Sequence, residues 1–201
     1  MTRFLFTLLS TLLISEEELR FSYAQKQGYD TSCGVAVTAS LLNTYWNTPI
    51  NEADLYQDMV LDRIAETDVT YTISFLTMTE YLTQHRIASR AYKMDFPTLA
   101  DSLQKGYAPI VVNYTEPRPH FALLLHINER GFAFVADPAR GFGFVDSGTF
   151  NKNYSGNALL TASTGIPPKN SAYVQSVVAT EEQRLDRLSE LATSRRFRGG
   201  R

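Results

Sequence analysis

The feature that most limits how this chain can fold is a change of hydrophobic period at Tyr107. Upstream of it, apolar residues recur at helical spacing; downstream, β-branched and aromatic residues run in short extended blocks. The blocks are Ala108-Pro109-Ile110-Val111-Val112-Asn113-Tyr114, then 120-HFALLLHIN-128 and 131-GFAFVADP-138 on either side of Glu129-Arg130. Two apolar runs joined by so short a polar connection predict an antiparallel hairpin. Ser155-Gly156-Asn157-Ala158-Leu159-Leu160 predicts a last strand. Helices first and an antiparallel sheet after them define an α+β fold with helices segregated from strands.

In the helical half, Asp30-Thr31-Ser32 reads as a cap for a helix from Cys33 to Leu42, apolar enough on all sides to be a buried central helix. Asn47-Thr48-Pro49 ends it, and Asn51-Glu52-Ala53-Asp54-Leu55 starts a second, short helix. The segment 73-ISFLTMTEYLTQHRI-87 places Phe75, Leu76, Met78, Tyr81 and Leu82 on one helical face. A further helix over 97-PTLADSLQKG-106 has proline at its start and glycine at its end, as helix termini prefer. Beyond Ile166-Pro167-Pro168 the composition turns polar, and 180-TEEQRLDRLSELATSRR-196 predicts a helix with one narrow stripe of Leu185, Leu188 and Leu191. Residues 25–165 therefore form the domain, and 166–201 a polar helix with a flexible tail. The Gly199-Gly200 pair in that tail reads as part of a loose terminus.

Residues 1–24 read as a secretory signal. Arg3 precedes an apolar run from Phe4 to Ile14, too short for the ~20 residues that span a bilayer, and Ser22-Tyr23-Ala24 offers a small-x-small cleavage site. This predicts a periplasmic protein with no membrane span once the signal is removed. The competing reading makes the same residues an amphipathic first helix and leaves the protein cytoplasmic. The charge balance, 19 Lys and Arg against 21 Asp and Glu, gives nucleic acid nothing to bind.

The chain has one cysteine, so no internal disulfide, and three histidines against which a nucleophilic thiol can be tested: His85, His120 and His126. With Glu129-Arg130 as a two-residue loop, Asn128 faces Gly131 and Ala122 faces Asp137. His120 and Asp137 are then diagonal neighbours on one sheet face, ~7–8 Å apart at the backbone. A carboxylate so placed accepts an imidazole N–H, fixes its tautomer and leaves the other nitrogen for a thiol. A cysteine in the first turn of a helix feels the positive end of the helix dipole, which favours thiolate. Gln27, upstream of Cys33, is placed to supply a side-chain amide to an oxyanion, beside the Cys33 N–H. Gly34 leaves room for substrate to approach the backbone. Cys33, His120, Asp137 and Gln27 thus make a nucleophile, a base, an orienter and an oxyanion donor. In this register His126 shares the face of His120, ~20 Å along the strand, as a sheet-face residue. His85 falls at a solvated helix end. No pair of histidines has metal-ligand spacing, so neither a metal nor a cofactor is expected.

The residues Gln27-x5-Cys33-Gly34, 119-PHFALLL-125 and 135-VADPARGF-142, followed by Phe150 and Tyr154-Ser155-Gly156, resemble the bacteriocin-processing, double-glycine leader peptidases. These are papain-like cysteine peptidases, commonly fused to an ATP-binding-cassette exporter. The resemblance runs from about Ser22 to Leu160 and implies a papain-like fold with Cys33 as nucleophile, His120 as general base and acid, Asp137 as orienter and Gln27 as oxyanion donor. The chain shows no P-loop. It is similar to free-standing, periplasmic peptidase-like members of functional-amyloid (Fap-type) secretion systems, also in 74-SFLTMTEYLTQHRI-87 and Asp95-Phe96-Pro97. The resemblance implies a thiol endopeptidase that acts on an exported polypeptide, a leader or an amyloid component, after small residues such as Gly-Gly. Two other readings use the same residues: a non-hydrolytic adaptor that only holds its polypeptide, and an amidase or transglutaminase-like acyl transfer.

Overall fold

The computed structural model describes residues 15–62, 64, 73–105, 109–115, 117–163 and, further on, 176, 178–180, 182–184, 186–187 and 190. The apolar run from Phe4 to Ile14, Gly106, Leu185, Leu188, Leu191 and Gly199-Gly200 lie outside them.

The predicted helices and hairpin form, but an unpredicted strand over Ile87–Lys93 precedes the helix at Pro97 and an unpredicted helix over Ser147–Asn153 lies between two strands, so helices do not all come first. Helix α1 spans Glu16–Arg20 and α2 Cys33–Ser40, which widens into a π-helical turn over Leu41–Tyr45. Helix α3 spans Glu52–Tyr56 and also passes into a π-helical turn, Gln57–Leu61. Then come α4 (Phe75–Gln84), β1 (Ile87–Lys93), α5 (Phe96–Gln104), β2 (Ile110–Tyr114), β3 (His120–Ile127), β4 (Phe132–Asp137), β5 (Gly141–Asp146), α6 (Ser147–Asn153) and β6 (Tyr154–Ser163). Asn47, at φ +50°, closes the α2 segment as the sequence predicts. Ser74 caps α4 by accepting the Thr77 N–H, and Asp95 caps α5 by accepting that of Thr98.

The strands form one antiparallel sheet in the order β1-β6-β2-β3-β4-β5. Its two faces carry separate cores. On one, Phe121, Leu123 and Leu125 of β3 and Phe134 and Ala136 of β4 meet α2, whose residues Gly34 to Ser40 are all buried. On the other, Ala122, Leu124, Ala133 and Val135 pack under Leu99 of α5 and Phe150 of α6. Helices thus cover both faces, with the long N-terminal group on one and the two short helices between strands on the other. Across the first core Trp46 donates its indole N–H to Thr161 Oγ1 at 3.2 Å.

Two details of the hairpin differ from the sequence reading. The connection holds three residues, Glu129, Arg130 and Gly131, because Gly131 takes φ +79° and Asn128 N–H donates to Phe132 O at 3.0 Å. Pairing near the turn is therefore Ile127 with Ala133 and His126 with Phe134. A bulge between Leu124 and His126 then removes the one-residue offset, so that Leu124 faces Val135 and Leu123 faces Ala136. The bulge also turns His126 away from the face of His120. Its ring stands edge-on to Phe134, 5.5 Å between centroids, on the α2 side. Burial lowers the His126 pKa, opposed by Glu182 from the C-terminal segment. That segment contributes Val178 to the first core and pairs Asp186 with Arg130 at 2.7 Å. His85, expected to be solvated, is half-buried with its ring 4.9 Å from Tyr81.

Candidate active site

Cys33 opens α2, and α2 opens there because Ser32 supplies the first helical carbonyl, accepting the Ala36 N–H at 2.9 Å. The Ser32 side chain does not cap the helix, contrary to the sequence expectation. Its hydroxyl lies 3.0 Å from Tyr29 O and 3.1 Å from Glu52 Oε1, and it accepts the Tyr29 N–H. The first-turn amides of α2 are therefore left without a side-chain partner from Ser32, and the Gly34 backbone helps to lower the Cys33 thiol.

His120 begins β3, opposite Tyr114 of β2, and Asp137 ends β4. The bulge-corrected register makes them diagonal neighbours. His120 Nε2 and Asp137 Oδ1 are 2.8 Å apart, with both side chains largely buried. The same carboxylate oxygen accepts the Ala139 N–H at 2.8 Å and the Arg140 N–H at 3.1 Å. Nε2 being engaged, Nδ1 is the ring nitrogen left for Cys33, and thiol and ring are near enough to shift each other's pKa.

Electrostatics follow from this chain of contacts. Burial alone would raise the Cys33 thiol, but the hydrogen bond and charge of His120 and the backbones of Phe121 and Gly34 carry it below the ordinary thiol value. Burial would likewise lower His120, yet Asp137 and Cys33 outweigh it and raise the imidazolium to about 9. Asp137 is pushed up by burial and pulled further down by His120 and the amides of Ala139 and Arg140. These shifts all act in one direction, toward a thiolate beside an imidazolium beside a carboxylate.

Gln27 lies on the loop before α2. Its backbone N–H donates to Pro138 O at 2.9 Å, which ties this loop to the turn just past Asp137. Its side-chain amide donates to Tyr29 O at 2.9 Å and Asp30 O at 3.3 Å, while its Oε1 is buried without a hydrogen-bond partner. Gly34 has a packing role rather than the open approach expected: a Cβ there would stand 2.3 Å from Ile73 Cγ2 and 3.0 Å from Met78 Cε. Sequence reasoning missed the Ala139 and Arg140 amides and the Phe121 backbone. Asp137-Pro138 did carry a signal for the amides, since a turn-opening aspartate accepts N–H groups two and three residues on. A cavity of about 340 Å³ flanks the His120–Asp137 pair on the α6 side, bordered by Tyr114, Arg118, Arg140, Val145 and Asn153; Cys33 does not border it.

A thiol paired with an imidazole, itself oriented by a carboxylate, defines the class of thiol acyl-transfer enzymes. The model of the peptidase C39 family matches residues 22–165, and the chain belongs to that family as a cysteine peptidase. It is 27% identical over 173 residues to the "Probable functional amyloid protease FapD" of Pseudomonas aeruginosa, covering 86% of this chain and 75% of that one. In structure it is similar to the peptidase domain of Streptococcus ComA, a bi-functional ABC transporter of a quorum-sensing pathway. The TM-score is 0.57 at 18% identity, over 71% of this chain and 98% of that one. It is also similar to a double-glycine-motif protease from an AMS/PCAT transporter, solved with its leader peptide. There the TM-score is 0.55 at 18% identity, over 69% and 89% of the chains. At that identity the two likenesses are of fold.

Proposed function

We propose that Cys33, His120 and Asp137 carry out endopeptidase cleavage of an exported polypeptide, with Gln27 and the Cys33 N–H stabilising the oxyanion. The observation that carries this reading is the His120 ring held 2.8 Å from Asp137 Oδ1 and near enough to Cys33 for its charge to draw the thiol down. The Cys33 thiolate attacks the scissile carbonyl carbon, and the carbonyl electrons move to oxygen. On collapse the C–N bond breaks, and the His120 proton passes to the leaving amine, leaving a Cys33 thioester. Water, losing a proton to His120, then adds to the thioester carbonyl, and the thiolate leaves with the new carboxyl product. Asp137 holds the ring and its charge throughout. For Gln27 to act, one amide proton must leave the Tyr29 or Asp30 carbonyl when substrate enters; the Gln27–Pro138 bond keeps the residue beside the site meanwhile.

The similarity to FapD supports a component of a functional-amyloid system as substrate, and the periplasmic location rests on the signal-like run from Phe4 to Ile14 alone. A cut after a Gly-Gly pair follows from the resemblance to leader peptidases. The adaptor reading is disfavoured because a pure binder gains nothing from a depressed thiol aligned with His120. The test is incubation with amyloid-subunit polypeptides and Gly-Gly peptides, with products followed by mass spectrometry. Two complementary fragments, lost in Cys33→Ala, support the reading. An amide-exchanged product would point to transglutaminase-like transfer, and an unchanged polypeptide that stays bound to the adaptor.

A further inference from the structure

The mechanism above makes no use of the arm that precedes Gln27, yet the arm lies along the turn that holds Asp137. Helix α1 is closed by a reciprocal cap, with the Ser15 hydroxyl accepting the Glu18 N–H at 3.1 Å and the Glu18 carboxylate accepting that of Ser15 at 2.7 Å. From its end Arg20 Nη2 donates to Arg140 O at 2.7 Å. Gly141, at φ +84°, lies so close that a Cβ there would be 2.7 Å from Arg20 O. The Tyr23 ring meets Phe142 edge-on at 4.8 Å, and Tyr23 O accepts the Tyr45 hydroxyl at 3.1 Å. Ala24 is only 3% exposed within the first core, and Gln25 N–H donates to Ser40 Oγ at 2.7 Å.

Arm and loop together therefore touch Pro138, Arg140, Gly141 and Phe142. This is the same turn whose Ala139 and Arg140 amides fix Asp137 Oδ1. No residue of the arm borders the cavity beside His120 and Asp137, so the arm meets the turn from outside that cavity.

We propose that residues 20–24 form a strap that positions the 138–142 turn, and through it the Asp137 carboxylate against His120, with Arg20 and Tyr23 as positioning residues. A cut after Ala24, the site that the sequence suggested for signal removal, would take the strap away. Export with the strap in place therefore needs a cut before Arg20, or none. The inference rests on the thiol-peptidase reading of Cys33 and His120, but its test needs no substrate.

The test follows iodoacetamide alkylation of Cys33 against pH in the full chain, with thermal midpoints alongside, for wild type, Arg20→Ala, Arg20→Lys and Tyr23→Leu. A loosened Asp137 stabilises the imidazolium less, so the alkaline limb, near 9 in wild type, should move down in Arg20→Ala and Tyr23→Leu. The rate at pH 7 should fall about fivefold, as expected for loss of one hydrogen bond. Arg20→Lys, which keeps a donor for Arg140 O, should recover most of both. A lower thermal midpoint with an unmoved limb would overturn the proposal by reducing the arm to a structural role. Faster alkylation would overturn it by making the arm a cover. Fragment production by Cys33 is measured separately, so failure of the cleavage assay would not be confused with failure of the strap.

Discussion

His120 Nε2 lies 2.8 Å from an Asp137 oxygen that also receives the Ala139 and Arg140 amides. All three hydrogen bonds end on Oδ1, so Asp137→Asn can keep them while removing the charge. The variant should fold normally, lose about tenfold in kcat/KM, and show an alkaline limb moved from about 9 toward the ordinary imidazole range. Asp137→Ala, which removes the acceptor as well, should lose roughly 10²-fold. A pH–rate profile of both variants checks the separation of charge from geometry.

Gly34→Ala tests the close approach of α2 to the residues before and within α4. The added methyl meets buried Ile73 at its branched carbon and at a methyl, with little room to yield. Denaturant unfolding should show a loss of about 1–3 kcal/mol, and Cys33 alkylation should slow as the helix start shifts. Full stability would mean that Ile73 and Met78 repack freely.

Thr161→Val removes the only acceptor seen for the Trp46 indole N–H among the described residues while keeping the side-chain shape. The cost should be about 1–3 kcal/mol, since the donor stays buried. Thermal unfolding of the variant reads it, and a change within error would place water in the gap.

The candidate site was legible in the sequence as a set of positions because its proposed members sit at element ends: Cys33 at a helix start, His120 at the head of a strand and Asp137 at the foot of the next. The hairpin register was one residue off at the turn, and the pairing of His120 with Asp137 still came out as expected. The extra residue, Gly131 in the turn, is offset by the bulge at Leu125. The same bulge explains why His126 was placed on the wrong face, since a bulge turns two successive side chains to one side. Strand β1 was hidden because IASRAYK is an edge strand exposed along nearly all its length, with no buried alternation to read. Strand β5 was hidden by Gly141 and Gly143, and α6 by its length of 7 residues with a single buried member, Phe150. The turn amides around Asp137 carry no side-chain signature, and neither does the packing need for Gly34.

The account depends most on a thiolate at Cys33 held by an imidazolium at His120. The direct measurement is the rate of iodoacetamide alkylation at Cys33 from acid to alkaline pH, in wild type and in His120→Ala. His120 is raised above its usual 6.5, so its protonated form should persist through neutral pH and be lost as pH passes about 9. The thiol is lowered, so reactive sulfur should appear below the ordinary thiol value. Wild type is thus predicted to show two limbs, the acid one below the usual thiol value and the alkaline one near 9, both replaced by a single ordinary thiol titration in His120→Ala. Identical single titrations in the two proteins would contradict the ion pair and with it the catalytic assignment.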